Sequence, residues 1–279
     1  MAYKTILTII TDADLATSAL ESAITLSDRE DAHLEVLCLG VDRTQTGYYY
    51  AGTNAMIQQE TLERAQKEAA EIETAAKHRL STEGIKWNCE AAVAQIAGLS
   101  HLVAQRARFS DLVLMPKPYG EGRAIEDEAA VEAAMFDGKA PLLVMPQEAD
   151  SSSIGNRVVI AWNQSNEALA AIRAALPVLQ AADSVNIAII DPPQHGPDRS
   201  DPGGELSQFL SRHGVKTEIS VLAKTMPRVS DVLCRHVQDI DADMVVMGAY
   251  GHSRFREAIL GGATRNMLEN TKVPVLMAH

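Results

Sequence analysis

The chain of 279 residues repeats one pattern in its two halves. In the first half, the run Asp111-Leu-Val-Leu-Met115 is followed by Lys139-Ala-Pro-Leu-Leu-Val-Met145. The second half contains the related runs Asp243-Met-Val-Val-Met247 and Lys272-Val-Pro-Val-Leu-Met277. A period close to half the chain is typical of a duplicated domain, because solenoids repeat a much shorter unit many times. We therefore predict two domains of the same fold.

The boundary between the two domains is predicted at the polar stretch 147–156, which contains three consecutive serines and Gly155. This places one domain at residues 1–147 and the other at residues 156–279. A chain of this length is expected to form about two domains of roughly 150 residues each.

Each half alternates short apolar runs with amphipathic segments. The run Ile6 to Ile10 precedes a helical pattern that ends near Leu26, and Val158 to Trp162 precedes a matching pattern that ends near Leu179. Apolar strands that alternate with helices indicate parallel βαβ units with helices on both faces of the sheet. The predicted fold class is α/β, with two repeated doubly wound (Rossmann-like) domains. Such sheets bind ligands at the carboxyl ends of the strands, where the winding reverses.

Composition excludes several classes of function. The net charge of −12 argues against nucleic-acid binding, which needs an excess of Lys and Arg. No apolar run approaches the ~20 residues of a membrane helix, and the first ten residues are typical of a strand rather than a signal peptide. Three unclustered cysteines do not indicate a zinc site or a disulfide framework. We expect a soluble cytoplasmic protein without a metal centre.

Glycines cluster after one apolar run of the second half. The run Met244–Met247 ends at Gly248, as a buried parallel strand does when it reaches its carboxyl end. Gly251 follows, and the pair Gly261-Gly262 precedes a helical stretch that begins at Ala263. Glycine lets the backbone approach a ligand, and a helix amino terminus offers unpaired N–H groups to phosphate. The two turns predict a polyphosphate site, unless they serve only tight turning and close helix packing.

The spacing Gly-x2-Gly-x9-Gly, from Gly248 through Gly251 to Gly261, resembles the nucleotide loop of the universal stress protein family. Family members with this loop bind ATP. The resemblance covers essentially the whole chain, as a tandem two-domain member, and is strongest over residues 157–190 and 243–279. It implies a five-stranded parallel sheet in each domain and a role in the stress response. ATP, with or without Mg²⁺, is the ligand implied for the second domain.

The resemblance also implies which residues contact the nucleotide. Gly262 stands where Ser or Thr usually follows the last glycine, and Asn163 stands where an Asp usually contacts the adenosine. Both positions keep hydrogen-bonding groups, the backbone N–H of Gly262 and the amide of Asn163. The predicted nucleotide-binding residues are Ala161, Asn163, Met247, Gly248, Gly251, His252, Gly261, Gly262, Ala263 and Thr264.

The first half lacks the glycine loop. Pro116 follows its corresponding strand, and the next helix is predicted to begin around the acidic run Glu126-Asp127-Glu128. Negative charge at a helix amino terminus takes the position that an anion would occupy, and it repels phosphate. We therefore expect a degenerate nucleotide loop that does not hold ATP.

No Walker A loop, nucleophilic triad or metal-protease motif is present in the sequence. A binding protein is favoured over an enzyme, with weak ATPase activity at most. No catalytic residue is predicted, although His252 would be the first candidate general base. Three interpretations stay open: a nucleotide-binding sensor or regulator, a stress protein that acts through protein partners without nucleotide, and an ATP-hydrolysing enzyme. The resemblance also implies an intramolecular pseudo-dimer of the two domains, with a homodimer as a further assembly.

Overall fold

The computed structural model describes residues 2–12, 17–43, 54–150, 154–192, 201–249 and 262–279. The chain divides into two compact units, residues 2–140 and 141–279. The sequence-based domain limits, 1–147 and 156–279, stay a prediction. The division at 140 lies earlier because the last strand of the first half belongs to the second compact unit.

The first unit has four parallel strands in the order β3-β2-β1-β4. Its elements are β1 (Thr5–Ile10), α1 (Thr17–Glu30), β2 (His33–Asp42), α2 (Asn54–Leu80), β3 (Lys86–Gln95), α3 (Leu99–Ala107), β4 (Leu112–Pro116) and α4 (Ile125–Glu132), which continues as a π-helical turn (Ala133–Asp137). β1 and β4, which are neighbours in this order, are almost wholly buried, as their apolar sequences require.

The second unit has six strands in the order β5-β10-β9-β6-β7-β8. Its elements are β5 (Leu142–Met145), β6 (Arg157–Ala161), α5 (Asn166–Ala174), α6 (Leu176–Ala181), β7 (Ser184–Ile190), α7 (Gly204–Arg212), β8 (Thr217–Leu222), α8 (Val229–Asp239), β9 (Met244–Gly248), α9 (Ala263–Asn270) and β10 (Val275–Ala278). Five of these strands run parallel, and β5 pairs antiparallel with β10.

The predicted α/β class and the repeated Rossmann-like order are therefore confirmed. The second half forms the expected five-stranded parallel sheet from β6 to β10. The first half differs, because its fifth strand, β5, is part of the second compact unit. β5 is a fully buried run of four apolar residues. Such a run predicts a strand, but it does not specify which neighbour the strand pairs with or in which direction. Over the described residues, no helix combines the length and apolar character needed to cross a lipid bilayer.

The repeated runs 111–115 and 243–247 both begin with an aspartate, and this aspartate has the same structural role in the two units. The Asp243 carboxylate accepts hydrogen bonds from the backbone N–H groups of Gly155, Asn156 and Arg157 at 3.0, 3.1 and 3.1 Å. In the first unit, Asp111 accepts from the backbone N–H groups of Lys4 and Thr5. Each carboxylate joins the starts of two strands, β4 and β1 in the first unit and β9 and β6 in the second. These two strands flank the point at which the winding reverses, so the aspartates fix the sheet beneath the ligand crevice.

Replacement of Asp243 by alanine is expected to lower the free energy of unfolding by about 2 kcal/mol, because three backbone donors lose a charged acceptor. Chemical denaturation measures this change. Asp239→Ala is the control: the Asp239 side chain is 64% exposed and lies 3.7 Å from Arg235, so we expect a loss below about 0.5 kcal/mol. Equal losses in the two variants would contradict the role assigned to Asp243.

Candidate functional site

The winding of the second sheet reverses between β6 and β9. From β6, the chain proceeds through β7 to β8 on one side, while β9 and β10 lie on the other. In doubly wound sheets, the loops that leave the two strands at this point diverge and open a crevice at the carboxyl edge. The carboxyl ends of β6 and β9 are Ala161 and Gly248.

A cavity of about 430 Å³ lies at this edge. This volume is in the range of small-molecule sites. The cavity is bounded by the ends of three strands and the first turns of α8 and α9. The described residues that line it are Ala161, Trp162, Asn163, Ser165, Ala188, Ile190, Val229, Ser230, Leu233, Met247, Gly248, Ala263, Thr264 and Met267.

One end of the cavity is the amino terminus of α9. Gly262 is its N-cap residue, with extended backbone angles (φ −58°, ψ 162°), and no side chain among the described residues caps the helix there. Ala263 and Thr264, the first two residues of the helix, line the cavity. The first N–H groups of a helix have no partner inside the helix and carry the positive end of its dipole. This end of the cavity is therefore suited to an anion.

The opposite wall is mainly apolar. Ala188 and Ile190 come from the end of β7, Leu233 from α8, and Met267 from the second turn of α9. Ser230, on the first turn of α8, also lines the cavity and is buried. A cavity with one end suited to an anion and one apolar wall can accommodate a ligand that has both an anionic and an apolar part.

The turn after β6 fixes the side chain of Asn163. Its Oδ1 accepts a hydrogen bond from the backbone N–H of Ser165 at 3.1 Å. Ser165 is the N-cap of α5, and its Oγ accepts from the backbone N–H of Ala168 at 3.1 Å. Gln164, between them, has a positive φ of 61°, which makes the turn tight. Because Oδ1 is used within the turn, the Nδ2 group of Asn163 is the part that would donate to a ligand.

Gly248 lines the cavity, but its lack of a side chain serves packing. A Cβ atom at this position would lie 2.7 Å from the carbonyl carbon of Glu167 and closer still to the backbone nitrogen of Ala168. The first turn of α5 therefore rests directly on the end of β9. For this glycine, close helix packing accounts for the residue type without a ligand.

Seven of the ten predicted site residues lie in the described part of the chain, and three lie outside it. Six of them line the cavity: Ala161, Asn163, Met247, Gly248, Ala263 and Thr264. Gly262 adjoins them as the N-cap of α9. Gly251, His252 and Gly261 lie outside the described residues. Contact of any of these residues with a nucleotide stays a prediction.

Several lining residues were not predicted as site residues from the sequence. They are Trp162, Ser165, Ala188, Ile190, Val229, Ser230, Leu233 and Met267. Ile190 and Ala188 stand near the end of a strand, which was a usable signal, because ligands meet parallel sheets at that edge. Ser230 and Leu233 gave no such signal. The helical pattern of α8 does not reveal which of its residues faces a cavity rather than the core.

The corresponding helix of the first unit has its amino terminus occupied by the unit's own carboxylates. Asp127 accepts hydrogen bonds from the backbone N–H of Ala124 and from Thr11 Oγ1, both at 2.8 Å. Glu126, which is buried, accepts from Arg43 Nε at 2.6 Å. The protein's own carboxylates thus take the place at the amino terminus of α4 that an external anion would need.

Comparison with known proteins places the second half in a family. Residues 155–279 match the model of the universal stress protein family. A universal stress protein of Synechocystis sp. is 33% identical over 73 residues, which make up 26% of this chain and 24% of that protein.

Two solved structures share the fold of the whole chain. A universal stress protein from Archaeoglobus fulgidus DSM 4304 covers 98% of this chain, and 95% of its own length is matched, with a TM-score of 0.70 and 16% identity. A protein from Pseudomonas aeruginosa UCBPP-PA14 covers 99% of this chain, and 92% of its own length is matched, with a TM-score of 0.62 and 15% identity. The fold of these proteins is therefore shared over both halves of the chain, whereas the family model matches the second half alone. Residues 155–279 of this chain belong to the universal stress protein family.

Proposed function

We propose that the second unit binds an adenine nucleotide, ATP or a relative of it, and that the chain acts as a sensor or regulator in the stress response. The observation that carries this proposal is the cavity at the winding reversal, which ends at the amino terminus of α9. The polyphosphate lies at Gly262, Ala263 and Thr264, with or without Mg²⁺. The base and ribose lie between the end of β6 and the apolar wall formed by β7 and α8.

The chemistry of the lining supports binding. The described lining residues supply apolar side chains, hydroxyls, one carboxamide and one indole. Such groups hold and orient a ligand through burial and a few directed hydrogen bonds. We therefore propose a binding module.

We propose that the first unit does not take a nucleotide at the equivalent position. The support is the pair of carboxylates at α4, because Asp127 and Glu126 already accept from Ala124, Thr11 and Arg43. A phosphate placed there would meet two negative charges. The pairing of the two halves as a pseudo-dimer and the formation of a homodimer stay predictions. Light scattering of the purified chain tests the homodimer, because it measures the mass of the assembly.

Mg-ATP is expected to raise the unfolding temperature of the protein. A ligand at about 100 times its dissociation constant adds about 2.7 kcal/mol to the stability of the native state. The measurement is thermal unfolding with millimolar Mg-ATP, ATP with EDTA, AMP and NAD. A shift with ATP supports the proposal, and comparison of the two ATP samples shows whether Mg²⁺ takes part. The absence of a shift with every nucleotide would favour a stress protein that acts through protein partners.

A further inference from the structure

Two cysteine sulfur atoms are in contact in the first unit. Cys38 lies on β2 and Cys89 on β3, and their Sγ atoms are 3.6 Å apart. The two residues are 51 positions apart in the chain, so their spacing in the sequence does not indicate this contact. All three cysteines of the chain are free thiols. The first unit therefore contains a pair of reduced thiols that touch each other.

The pairing of the two strands explains the contact. β2 and β3 run parallel, with Cys38 opposite Ala91 and Cys89 opposite Val36. The two cysteines are thus diagonal neighbours on one face of the sheet, because residues two apart along a strand point to the same side. This is the face that α2 covers, since a Cβ atom added to Gly40, two residues after Cys38, would overlap the backbone of α2.

A disulfide requires the two sulfur atoms to approach to about 2.05 Å, which takes rotation of the side chains and a small shift of the backbone for diagonal neighbours. β3 is the strand at one end of the order β3-β2-β1-β4, and among the described residues it pairs with β2 alone. A strand held from one side is displaced more easily than a strand held from both. The position of Cys89 on this strand therefore favours closure of the bond.

The two thiols differ in exposure and in acidity. Cys38 is 0% exposed, whereas Cys89 is partly exposed. The hydrogen bond between the sulfur atoms lowers the pKa of the Cys89 thiol and raises the pKa of Cys38, which burial raises further. The thiolate is the form that reacts with oxidants. An oxidant from solvent is therefore expected to react first at Cys89, with Cys38 as the second thiol.

We propose that Cys38 and Cys89 form a reversible disulfide when the protein meets a hydroperoxide, so that the first unit is a redox-sensitive site. The Cys89 thiolate attacks one oxygen of the hydroperoxide: an S–O bond forms, the O–O bond breaks, and the leaving oxygen takes up a proton and departs as alcohol or water. The Cys38 thiol then loses its proton and attacks the oxidised Sγ. The S–S bond forms, the S–O bond breaks, and hydroxide takes up that proton and leaves as water. The two thiols together lose two electrons, which reduce the hydroperoxide. This inference does not depend on the nucleotide site, which is proposed for the second unit.

The test is treatment of the reduced full chain with hydrogen peroxide, followed by acid quenching, alkylation in denaturant and mass spectrometry. The number of cysteines that can be alkylated should fall from three to one, and the peptides of Cys38 and Cys89 should be recovered joined within one chain. Dithiothreitol should restore all three thiols. Cys234 is the internal control: its Sγ lies 3.6 Å from the thioether Sδ of Met267, which cannot form a disulfide, so this cysteine should still be alkylated.

Two variants separate the roles of the two thiols. In Cys38→Ala, Cys89 is expected to stop at the sulfenic acid, which dimedone labels. In Cys89→Ala, Cys38 is expected to stay reduced, because it is buried. The unfolding temperature of each reduced variant shows that it is folded before peroxide is added. If Cys38 and Cys89 both stayed free in the parent at a peroxide concentration that oxidises Cys234, or if the cross-link joined two chains, the proposal would be overturned. The pair would then be two small apolar side chains that pack together.

Discussion

Gly248→Ala is expected to destabilise the second unit by about 3 kcal/mol, near the upper end for an overpacked site. The added methyl group meets backbone atoms of Glu167 and Ala168 rather than the end of a flexible side chain, so it cannot be accommodated by a change of rotamer. The backbone nitrogen of Ala168 also donates the hydrogen bond to Ser165 Oγ that caps α5. Displacement of this turn therefore weakens the cap and moves Asn163, one of the cavity residues.

Denaturant unfolding of Gly248→Ala and the parent measures this loss. Gly84→Ala is the matched control, because a Cβ at Gly84 meets nothing within 4 Å and the backbone does not require glycine there. That control is expected to be neutral, or more stable by up to about 1 kcal/mol, through the reduced entropy of its unfolded chain. If Gly248→Ala were as stable as Gly84→Ala, the packing of α5 on β9 would not be the reason for glycine at this position.

The repeated order of strands and helices could be predicted because it depends on local patterns. The helical pattern predicted to end near Leu26 is observed as Thr17–Glu30, and the pattern predicted to end near Leu179 is observed as two successive helices, Asn166–Ala174 and Leu176–Ala181. The partner of β5 could not be predicted in this way. Strand pairing depends on contacts far apart in the chain, and all four residues of β5 are apolar, so its pattern favours no particular edge.

The anion-binding end of the site was also within reach of sequence analysis. Glycines next to a helix start, and acidic residues in the matching helix of the first half, have direct electrostatic consequences. The apolar wall of the cavity could not be predicted from the sequence. Ser230 is one of many serines in the sequence, and its unusual state, a buried hydroxyl without a partner, arises only when α8 packs against the sheet. The sequence did not decide whether Gly248 is a glycine to let a ligand approach the backbone or to let a helix pack closely. Its close approach to α5 supports packing.

Two replacements at Gly262 are expected to change nucleotide affinity in opposite directions. Gly262 has a φ of −58°, which other residues adopt freely, and it occupies the N-cap of α9. Ser and Asp are both good N-cap residues, so the two variants should be at least as stable as the parent, to within about 1 kcal/mol. They differ in charge at the end of the cavity where the phosphates are proposed to lie.

Gly262→Ser places a neutral hydroxyl beside the phosphates, and we expect ATP to bind about 5-fold more tightly through one added hydrogen bond. Gly262→Asp places a negative charge there, and we expect ATP to bind at least about 10-fold more weakly because like charges repel at short range. Adenosine, which has no phosphate, should bind all three proteins equally. This last comparison separates an effect on phosphate from a general change in the cavity.

The most direct test of the central claim is therefore calorimetric titration of Mg-ATP into the parent protein, Gly262→Ser and Gly262→Asp under identical conditions. We predict one site per chain, with the affinity for ATP decreasing in the order Gly262→Ser, parent, Gly262→Asp. Equal affinity in all three proteins would show that ATP does not bind at the amino terminus of α9. A parent protein without measurable heat of binding, together with an unchanged unfolding temperature in the presence of ATP, would contradict the nucleotide site itself.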